Sequence, residues 1–513
     1  MSSNQANTTR IAKNTVVLYI RMIVVMLIAL YTSRIVLKAL GVEDFGLYTV
    51  IGGVVALFSF LRSSMEQATQ RFLNFEMGKP DGDLSKVFRV SLTIHLLFAA
   101  LALVLGETVG LLLVNKVIEI PEGREFAANV VYQCVLFSLC TTVITVPFSA
   151  TVIAHAQMTF YAVVNILDAC LKLGIAFVVL ASPPDKLILY GILMMLISVV
   201  NILLYLIYCK KKFLEVQILL LFDKSLFKQM FSFTSWTILR QAATVGSNQG
   251  NNILINMFHG VAANAAMGIG NQVGNAVLSL SGSFQTAFNP QITKSYASKD
   301  FDYLRFLLFT VSKLSFILMF VVSLPIIINV DFLLGVWLED VPSGAALFGI
   351  FWIIQSIINS LSTPLNFCVN ASGNIKQNQI ACSLVDLSDL IILFALFKVG
   401  FPPITAMAVK IYVVTLELFI RLHYACKYIP GLDLSIYLKS VLFPLILTTI
   451  ICTVFAYVMI HLVGDGINIW LKTVVIFIIS CLCTLYIALN TRERGVLLSL
   501  IQKIIHVKAD TSF

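Results

Sequence analysis

LILYGILMMLISVVNILLYLIY, residues 187–208, contains no charged side chain and is followed by Cys209 and by lysines at 210–212. An α-helix needs about 20 consecutive apolar residues to cross the hydrocarbon core of a bilayer. Lysines directly after such a run favour a cytoplasmic end. The stretch therefore predicts a transmembrane helix whose C-terminal end lies in the cytoplasm.

Similar apolar runs occur along the whole chain. Of its 513 residues, 59% are hydrophobic and only 12% are charged, whereas a soluble domain is about 45–50% apolar and about 25% charged. This composition excludes an ordinary soluble enzyme, a disordered protein and a nucleic-acid-binding protein. The predicted fold is an all-α polytopic membrane protein of about 14 helices. We place them near 14–36, 47–70, 88–115, 127–153, 161–181, 187–208, 231–256, 264–289, 304–328, 346–369, 380–397, 404–425, 441–462 and 469–489.

The net charge of +9 reflects the lysines and arginines of the predicted loops. Lysine and arginine are concentrated in the loops on one side of the predicted helices, which makes that side cytoplasmic and places both termini there. Residues 495–507, GVLLSLIQKIIHV, have apolar residues at helical spacing and are predicted to lie along the inner membrane surface.

An internal duplication relates two parts of the chain. Arg21 and Arg240 are 240−21 = 219 residues apart, and the same offset pairs Gly41-Val42 with Gly260-Val261. Pro147 matches Pro364, and Asp168 matches Asp386, at nearly the same offset. Because this offset spans six helices, the repeat is parallel, with two pseudo-symmetric six-helix bundles plus two C-terminal helices. The predicted segments are a first lobe (1–208), an amphipathic cytoplasmic linker (209–230), a second lobe (231–425), helices 13 and 14 (426–489) and a cytoplasmic tail (490–513).

Charged residues inside the predicted helices are the main candidates for function, because each costs roughly 2.5–3.5 kcal/mol at the bilayer centre. Three i,i+4 pairs are within ion-pair reach on one helix face. They are Arg62/Glu66, Asp168/Lys172 and Glu417/Arg421.

Arg21 and Arg240 have no acidic residue three or four positions away. If the first helix of each bundle lines a cleft, the two arginines would contact an anionic substrate there. The alternative is that they pair with Asp168, Asp386 or a backbone carbonyl. If transport is coupled to H+ or Na+, Asp168 and Asp386 are the candidate ion carriers.

Amide side chains are dense in predicted helices 7 and 8, and Asn248, Asn252, Asn271 and Asn275 are among them. Amides cannot face lipid cheaply, because their hydrogen bonds would remain unmade. They either join helices, with Gly268, Gly270 and Gly274 permitting close approach, or line a hydrated path able to bond sugar hydroxyls.

Other chemistries lack a pattern in the sequence. There is no GxxxxGK[ST] phosphate loop, and the histidines are scattered without metal-ligand spacing. We expect no cofactor, no metal site and no catalytic residue. The largest predicted outer loop, near 329–345, offers Asp331, Glu339 and Asp340 but no basic or histidine partner. A membrane-embedded polysaccharide polymerase or transferase is the alternative from a different class, and we do not expect an enzyme.

Several short motifs resemble a known family. They are Leu-Gly-Val-Glu-Asp-Phe-Gly-Leu-Tyr at 40–48, Gln70-Arg71-Phe72, and Pro147 followed by Ala-His-Ala-Gln-Met at 154–158. Together they resemble the polysaccharide transport branch of the multidrug/oligosaccharidyl-lipid/polysaccharide exporter superfamily, with the Wzx-type O-antigen or capsule repeat-unit flippase as the closest type.

The resemblance implies a substrate and a location. A Wzx-type protein carries an oligosaccharide on polyprenyl pyrophosphate from the inner to the outer leaflet of the bacterial plasma membrane by alternating access. In that interpretation Arg21, Arg62 and Arg240 hold the pyrophosphate head group, since arginine forks bind phosphate bidentately. Asn248, Asn252, Asn271 and Asn275 would bond the sugar, and the partners are the lipid-linked oligosaccharide and membrane lipids. A lipid II flippase and a multidrug exporter share the superfamily and stay open.

Overall fold

The computed structural model describes residues 3–56, 59–116, 120, 122–182, 185–338, 341–461, 469–490 and 493–495. Within these residues the chain is helical and forms no strand. The α-helices are α1 Ser3–Ala56, α2 Ser59–Met77, α3 Leu84–Leu105, α4 Leu111–Lys116, α5 Glu125–Ala154, α6 Met158–Ala181, α7 Lys186–Lys212, α8 Lys224–Ala297, α9 Phe301–Ile328, α10 Val330–Trp337, α11 Ala345–Ser372, α12 Lys376–Lys398, α13 Thr405–Tyr428, α14 Leu434–Tyr437, α15 Phe443–His461 and α16 Ile469–Cys483. Short π-helical turns follow α3, α14 and α16 at Gly106–Gly110, Leu438–Leu442 and Thr484–Ala488.

Ten helical segments in the described part of the chain are long and apolar enough to cross a membrane. This confirms the prediction of a polytopic all-α membrane protein. The four remaining predicted spans, near 47–70, 231–256, 264–289 and 404–425, are also helical in their described residues, but they carry the charged and amide residues that lower their hydropathy. The predicted outer loop near 329–345 contains the short helix α10, and Glu339 and Asp340 lie outside the described residues, as does the predicted surface helix beyond Gly495.

Aspartates begin several of the helices. The carboxylates of Asp83, Asp185, Asp223 and Asp300 accept hydrogen bonds from backbone N–H groups two or three residues further on, at 2.8–3.1 Å. These bonds satisfy N–H groups that have no partner within the helix. Asp83 begins α3 and Asp300 begins α9, so the same signal recurs at an offset close to that of the duplication.

The chain divides into two units, Val16–Ile238 and a second unit made of Met1–Thr15 and Leu239–Phe513. In the first unit α5 packs against α2, α3 and α7, and α6 packs against α7. In the second unit α11 packs against α9 and α13, and α12 packs against α13. Three of these contacts correspond between the units, namely α3–α5 with α9–α11, α5–α7 with α11–α13, and α6–α7 with α12–α13, as the duplication predicts. Helices α15 and α16 pack against each other and against α9.

A paired backbone feature supports the duplication. The predicted breaks between helices 1 and 2, and between helices 7 and 8, each fall at one glycine with non-helical backbone angles, so α1 and α8 each consist of two helices joined at a kink. Gly41 has φ +77° and ψ 174°, and Gly260 has φ +80° and ψ −178°. Residues with a Cβ almost never occupy this region. The two glycines are 219 residues apart, the offset that the sequence predicted.

Replacing either glycine with alanine tests this backbone constraint. A Cβ at Gly41 or Gly260 would meet nothing within 4 Å, so G41A and G260A should be destabilised by backbone strain alone, by about 1–3 kcal/mol. Thermal unfolding of the purified protein in lipid nanodiscs measures the effect. G46A is the matched control, since Gly46 lies in regular helix with equally open space. Equal melting temperatures for G41A and G46A would contradict the assignment.

Candidate functional site

Arg240 lies in a closed ionic cluster in the second unit. Its guanidinium donates to the carboxylates of Asp386 on α12 and Glu417 on α13. The Thr244 hydroxyl donates to the same Asp386 oxygen at 2.8 Å, and Arg421 binds the other Glu417 oxygen at 3.0 Å. Two guanidinium groups therefore face two carboxylates, and the Arg240 side chain is only 13% exposed. The cluster is neutral and well buried.

A second buried ion pair contacts the same face of α8, further towards the C-terminal end of that helix. Lys410 on α13 binds Asp389 on α12 at 2.9 Å. The same Asp389 oxygen accepts from Ser247 at 2.7 Å and from Asn251 at 2.8 Å. With Arg240 and Thr244, Ser247 and Asn251 form an i, i+4, i+7, i+11 stripe, which lies on one side of a helix. This polar stripe joins the first half of α8 to α12 and α13.

The structure thus places Arg240 in the pairing with Asp386 that the sequence left as the alternative to substrate contact. Of the three predicted i,i+4 pairs, Asp168/Lys172 and Glu417/Arg421 form salt bridges, at 2.7 and 3.0 Å. Arg62 and Glu66 form none within the described residues. Glu66 accepts instead from Gln70 at 3.4 Å.

The first unit presents its arginines differently. The Arg21 guanidinium carbon lies 5.3 Å from the centre of the Tyr161 ring, a distance at which a cation is attracted to the ring face. Arg62 is exposed. In the described part of the chain neither arginine forms a salt bridge.

A polar cavity of about 300 Å³ lies beside these residues in the first unit. Arg62, Glu66 and Tyr161 contribute to its wall, and Asp168 is held there by Lys172 and by Asn201, whose amide donates at 2.7 Å. Its lining is rich in hydroxyl and amide groups. The further polar lining residues are Tyr48, Ser138, Thr142, Thr145, Ser149, Asn165, Ser198 and Tyr205.

The duplication aligns residues of the cavity in the first unit with residues of the ionic cluster in the second. Pro183-Pro184 before α7 and Pro402-Pro403 before α13 are again 219 residues apart. That offset aligns Lys410 with Gly191, and Glu417 with Ser198. Both Gly191 and Ser198 line the cavity. Small residues in the first unit thus stand at the positions where the second unit has charged side chains. The proline pairs are the sequence signal that aligns α7 with α13 and so points to Gly191 and Ser198.

The predicted amide residues are at least partly exposed. Asn252 donates to Gln249 at 3.2 Å, and Asn275 donates to Asn271 at 2.7 Å, so these bonds lie within one helix. Asn248 and Asn271 are half-buried, and Asn275 is exposed. Their role towards a sugar stays a prediction. The buried residues Ser247 and Asn251, which lie next to Asn248 and Asn252, bind Asp389 instead.

The glycines beside these amides act as predicted in two of three cases. A Cβ at Gly270 would lie 2.6 Å from Phe348 Cβ, and one at Gly274 would lie 2.7 Å from Trp352 Cβ. Both glycines therefore permit close contact between α8 and α11. A Cβ at Gly268 would meet nothing within 4 Å.

The family-like motifs hold parts of the first unit together. Arg124 binds both Asp44, in the 40–48 motif, and Asp185, the latter at 2.6 Å. His155, in the 154–158 motif, hydrogen-bonds Glu215 in the segment between α7 and α8. This bond holds the pKa of Glu215 below its usual value, so the carboxylate stays ionised at neutral pH. A depressed pKa means that this stabilisation is lost only as the pH falls through the acidic range.

Comparisons with known proteins bear on the fold. The MatE family model matches residues 237–385, and no curated protein matches the chain. A crystal structure of MATE in the bent conformation has 12% sequence identity and a TM-score of 0.71, and the alignment covers 84% of this chain and 98% of that one. The outward-facing conformation of a multidrug resistance MATE family transporter of the MOP superfamily has 13% identity, a TM-score of 0.69, and coverage of 84% and 99%. A MOP superfamily transporter from Pyrococcus furiosus Vc1, whose reversed pocket polarity is described as suggesting a different function, has 13% identity, a TM-score of 0.68, and the same coverage. At these identities the similarity concerns the fold.

Truncating Arg240 tests the packing role of the ionic cluster. R240A would leave Asp386 and part of the charge of Glu417 unbalanced in a buried site, which should lower stability by about 3–5 kcal/mol. The control R62A removes an exposed arginine without a salt bridge and should change the melting temperature little.

A double variant distinguishes lost charge balance from a general packing defect. R240M/D386N removes one charge of each sign and leaves the Glu417–Arg421 pair, so it should be more stable than R240A. An R240A protein as stable as R62A would contradict the packing role.

Proposed function

We propose that this chain, which has the fold of the MATE transporters, is itself a transporter that moves an oligosaccharide linked to polyprenyl pyrophosphate from the inner to the outer leaflet of the bacterial plasma membrane. In this proposal the cavity of the first unit binds the pyrophosphate, and both termini are cytoplasmic. The observation that carries the proposal is the presence of Arg62, which forms no salt bridge among the described residues, in the wall of a polar cavity, with Arg21 in contact with Tyr161 of the same wall.

The charge around the cavity supports an anionic ligand. Lys172 and Asp168 balance each other through their 2.7 Å contact. Arg62 and Glu66 remain in the wall, and Arg21 adds a further positive charge through Tyr161. The wall itself holds two cations and two carboxylates, so the excess positive charge comes from Arg21, which contacts Tyr161. Arginine is suited to a diphosphate because its planar fork can donate two parallel hydrogen bonds.

In this proposal Arg240 stabilises the packing of its lobe and does not bind the head group, since two carboxylates already bind its guanidinium. The head group is thus assigned to Arg21 and Arg62. The hydroxyl and amide groups of the cavity wall can bond to phosphate oxygens or to the first sugar.

We propose Asp168 as the group that responds to the coupling ion, because it lies in the cavity wall. Protonation would remove the charge that Lys172 balances and release the ammonium group to the cavity. Asp386, its counterpart in the duplication, is bound by Arg240 and Thr244 and is only 6% exposed. We therefore prefer Asp168 to Asp386 as the carrier of H+ or Na+.

A multidrug exporter is the second candidate. Glu66 and Asp168 in the cavity wall are the observation that favours it, because carboxylates suit a cationic drug. The two functions make opposite demands on Arg62. Removal of Arg62 should impair transport of a pyrophosphate-linked substrate and should not impair transport of an organic cation.

The test is complementation of a strain that lacks the gene. R62A and R21A should abolish surface polysaccharide and trap the lipid-linked glycan on the inner leaflet, with normal amounts of inserted protein. A lost charge-assisted hydrogen bond is worth about 1.5–3 kcal/mol, so pyrophosphate affinity should fall roughly 10- to 100-fold.

R62K should recover part of the activity, because lysine keeps the positive charge but lacks the guanidinium group that donates two parallel hydrogen bonds. K211A is the control, since Lys211 is an exposed cation at the end of α7, away from the cavity wall. Normal polysaccharide in both R62A and R21A would reject the head-group role. Export of cationic dyes that persists in R62A would favour the drug exporter.

The coupling proposal has its own measurement. D168N should abolish the dependence of transport on the ion gradient, because the asparagine cannot gain or lose a proton. D386N serves as the comparison at the duplicated position and should act mainly on stability. Transport by D168N that keeps the rate and gradient dependence of the wild type would remove Asp168 from consideration.

A further inference from the structure

An apolar groove opens on the outer side of α5 in the first unit. It has a volume of about 450 Å³ and lies between α5 and α7, with Phe126, Val130, Phe137 and Met195 in its wall. Phe126 is 75% exposed and Phe137 is 48% exposed, so these aromatic rings face the surroundings of the helix. In a membrane protein such a surface meets hydrocarbon.

The groove lies directly beside the polar cavity. Cys134 on α5 contributes to the walls of both, and the adjacent residues Met194 and Met195 on α7 line the cavity and the groove respectively. One layer of side chains therefore separates a polar site from an apolar one. A molecule with a polar head and a hydrocarbon chain would satisfy both sites at once.

We propose that the groove binds the first part of the hydrocarbon chain of the transported lipid while the pyrophosphate occupies the cavity. This inference rests on the proposed function and adds to it a site for the chain. The wall that the groove shares with the cavity argues for the substrate's own chain, since the proposed pyrophosphate site lies directly beside it.

The position of the groove along α5 indicates which leaflet it serves. Phe126 and Phe137 are eleven residues apart, or about 16 Å at 1.5 Å per residue, which is about half of a 30 Å hydrocarbon core. The groove occupies the beginning of α5, the end that the charge distribution predicts to be outside. A chain bound there lies at the level of the outer leaflet, so the site fits a lipid that is about to be released.

The experiment measures binding of two probes to the full-length protein in nanodiscs. Farnesyl pyrophosphate carries both a head and a chain, and inorganic pyrophosphate carries the head alone. The wild type should bind farnesyl pyrophosphate more tightly than pyrophosphate. V130W fills the groove and should weaken farnesyl pyrophosphate binding roughly tenfold, the loss expected when about two methylene groups lack an apolar site.

Inorganic pyrophosphate affinity should be unchanged in V130W. L203W is the matched control, because Leu203 is an exposed leucine on α7 outside the groove, and it should affect neither probe. Unchanged farnesyl pyrophosphate affinity in V130W, or an equal loss for both probes, would overturn the proposal.

Further outcomes separate the groove from the head-group role. If V130W removes a co-purifying phospholipid in native mass spectrometry but leaves farnesyl pyrophosphate affinity intact, the groove belongs to bilayer lipid and the proposal fails. If the wild type binds farnesyl pyrophosphate through the groove but does not bind pyrophosphate, the chain site stands and the proposed head-group role fails. If the wild type binds neither probe, both fail.

Discussion

The ion pairs of Arg240 show the constraint on which the rest of the structure depends, namely that a charge inside a membrane protein must be either balanced or in contact with water. Arg240 is balanced by Asp386 and Glu417. Breaking a buried pair leaves an uncompensated charge and is strongly unfavourable. The corresponding arginine of the first unit, Arg21, is held by an aromatic ring instead. Such a contact does not neutralise its charge.

The duplicated positions show how one ancestral pattern can support two roles. The glycines at 41 and 260 keep the same backbone conformation, which only a residue without a Cβ adopts readily. The aspartates at 168 and 386 are also kept, but their surroundings differ. Where α13 carries Lys410 and Glu417, α7 carries Gly191 and Ser198, and a cavity results. The candidate site thus coincides with small side chains at positions where the second unit has charged ones.

Much of the fold could be predicted from the sequence, because apolar length and loop charge act locally along the chain. The pairs Asp168–Lys172 and Glu417–Arg421 could be predicted for the same reason, since i and i+4 share a helix face. The Lys410–Asp389 pair joins two helices, and no spacing rule identifies it. The breaks predicted near Gly41 and Gly260 are present, but each is a kink at a single glycine rather than a longer loop. The cavity depends on which small residues face each other across helices, which periodicity alone does not reveal.

The distribution of charge also distinguishes residues whose substitution should alter stability from residues whose substitution should alter activity. In the second unit, Arg240, Arg421 and Lys410 are each bound to carboxylates, so changing one of them alters folding before it alters any ligand. In the first unit, Arg62 contributes to a cavity wall without a salt bridge among the described residues, so its substitution need not disturb packing. A cavity wall of this kind can change its ligand through single substitutions at small cost. Members of one fold can therefore differ in substrate polarity while keeping the packing of the other unit.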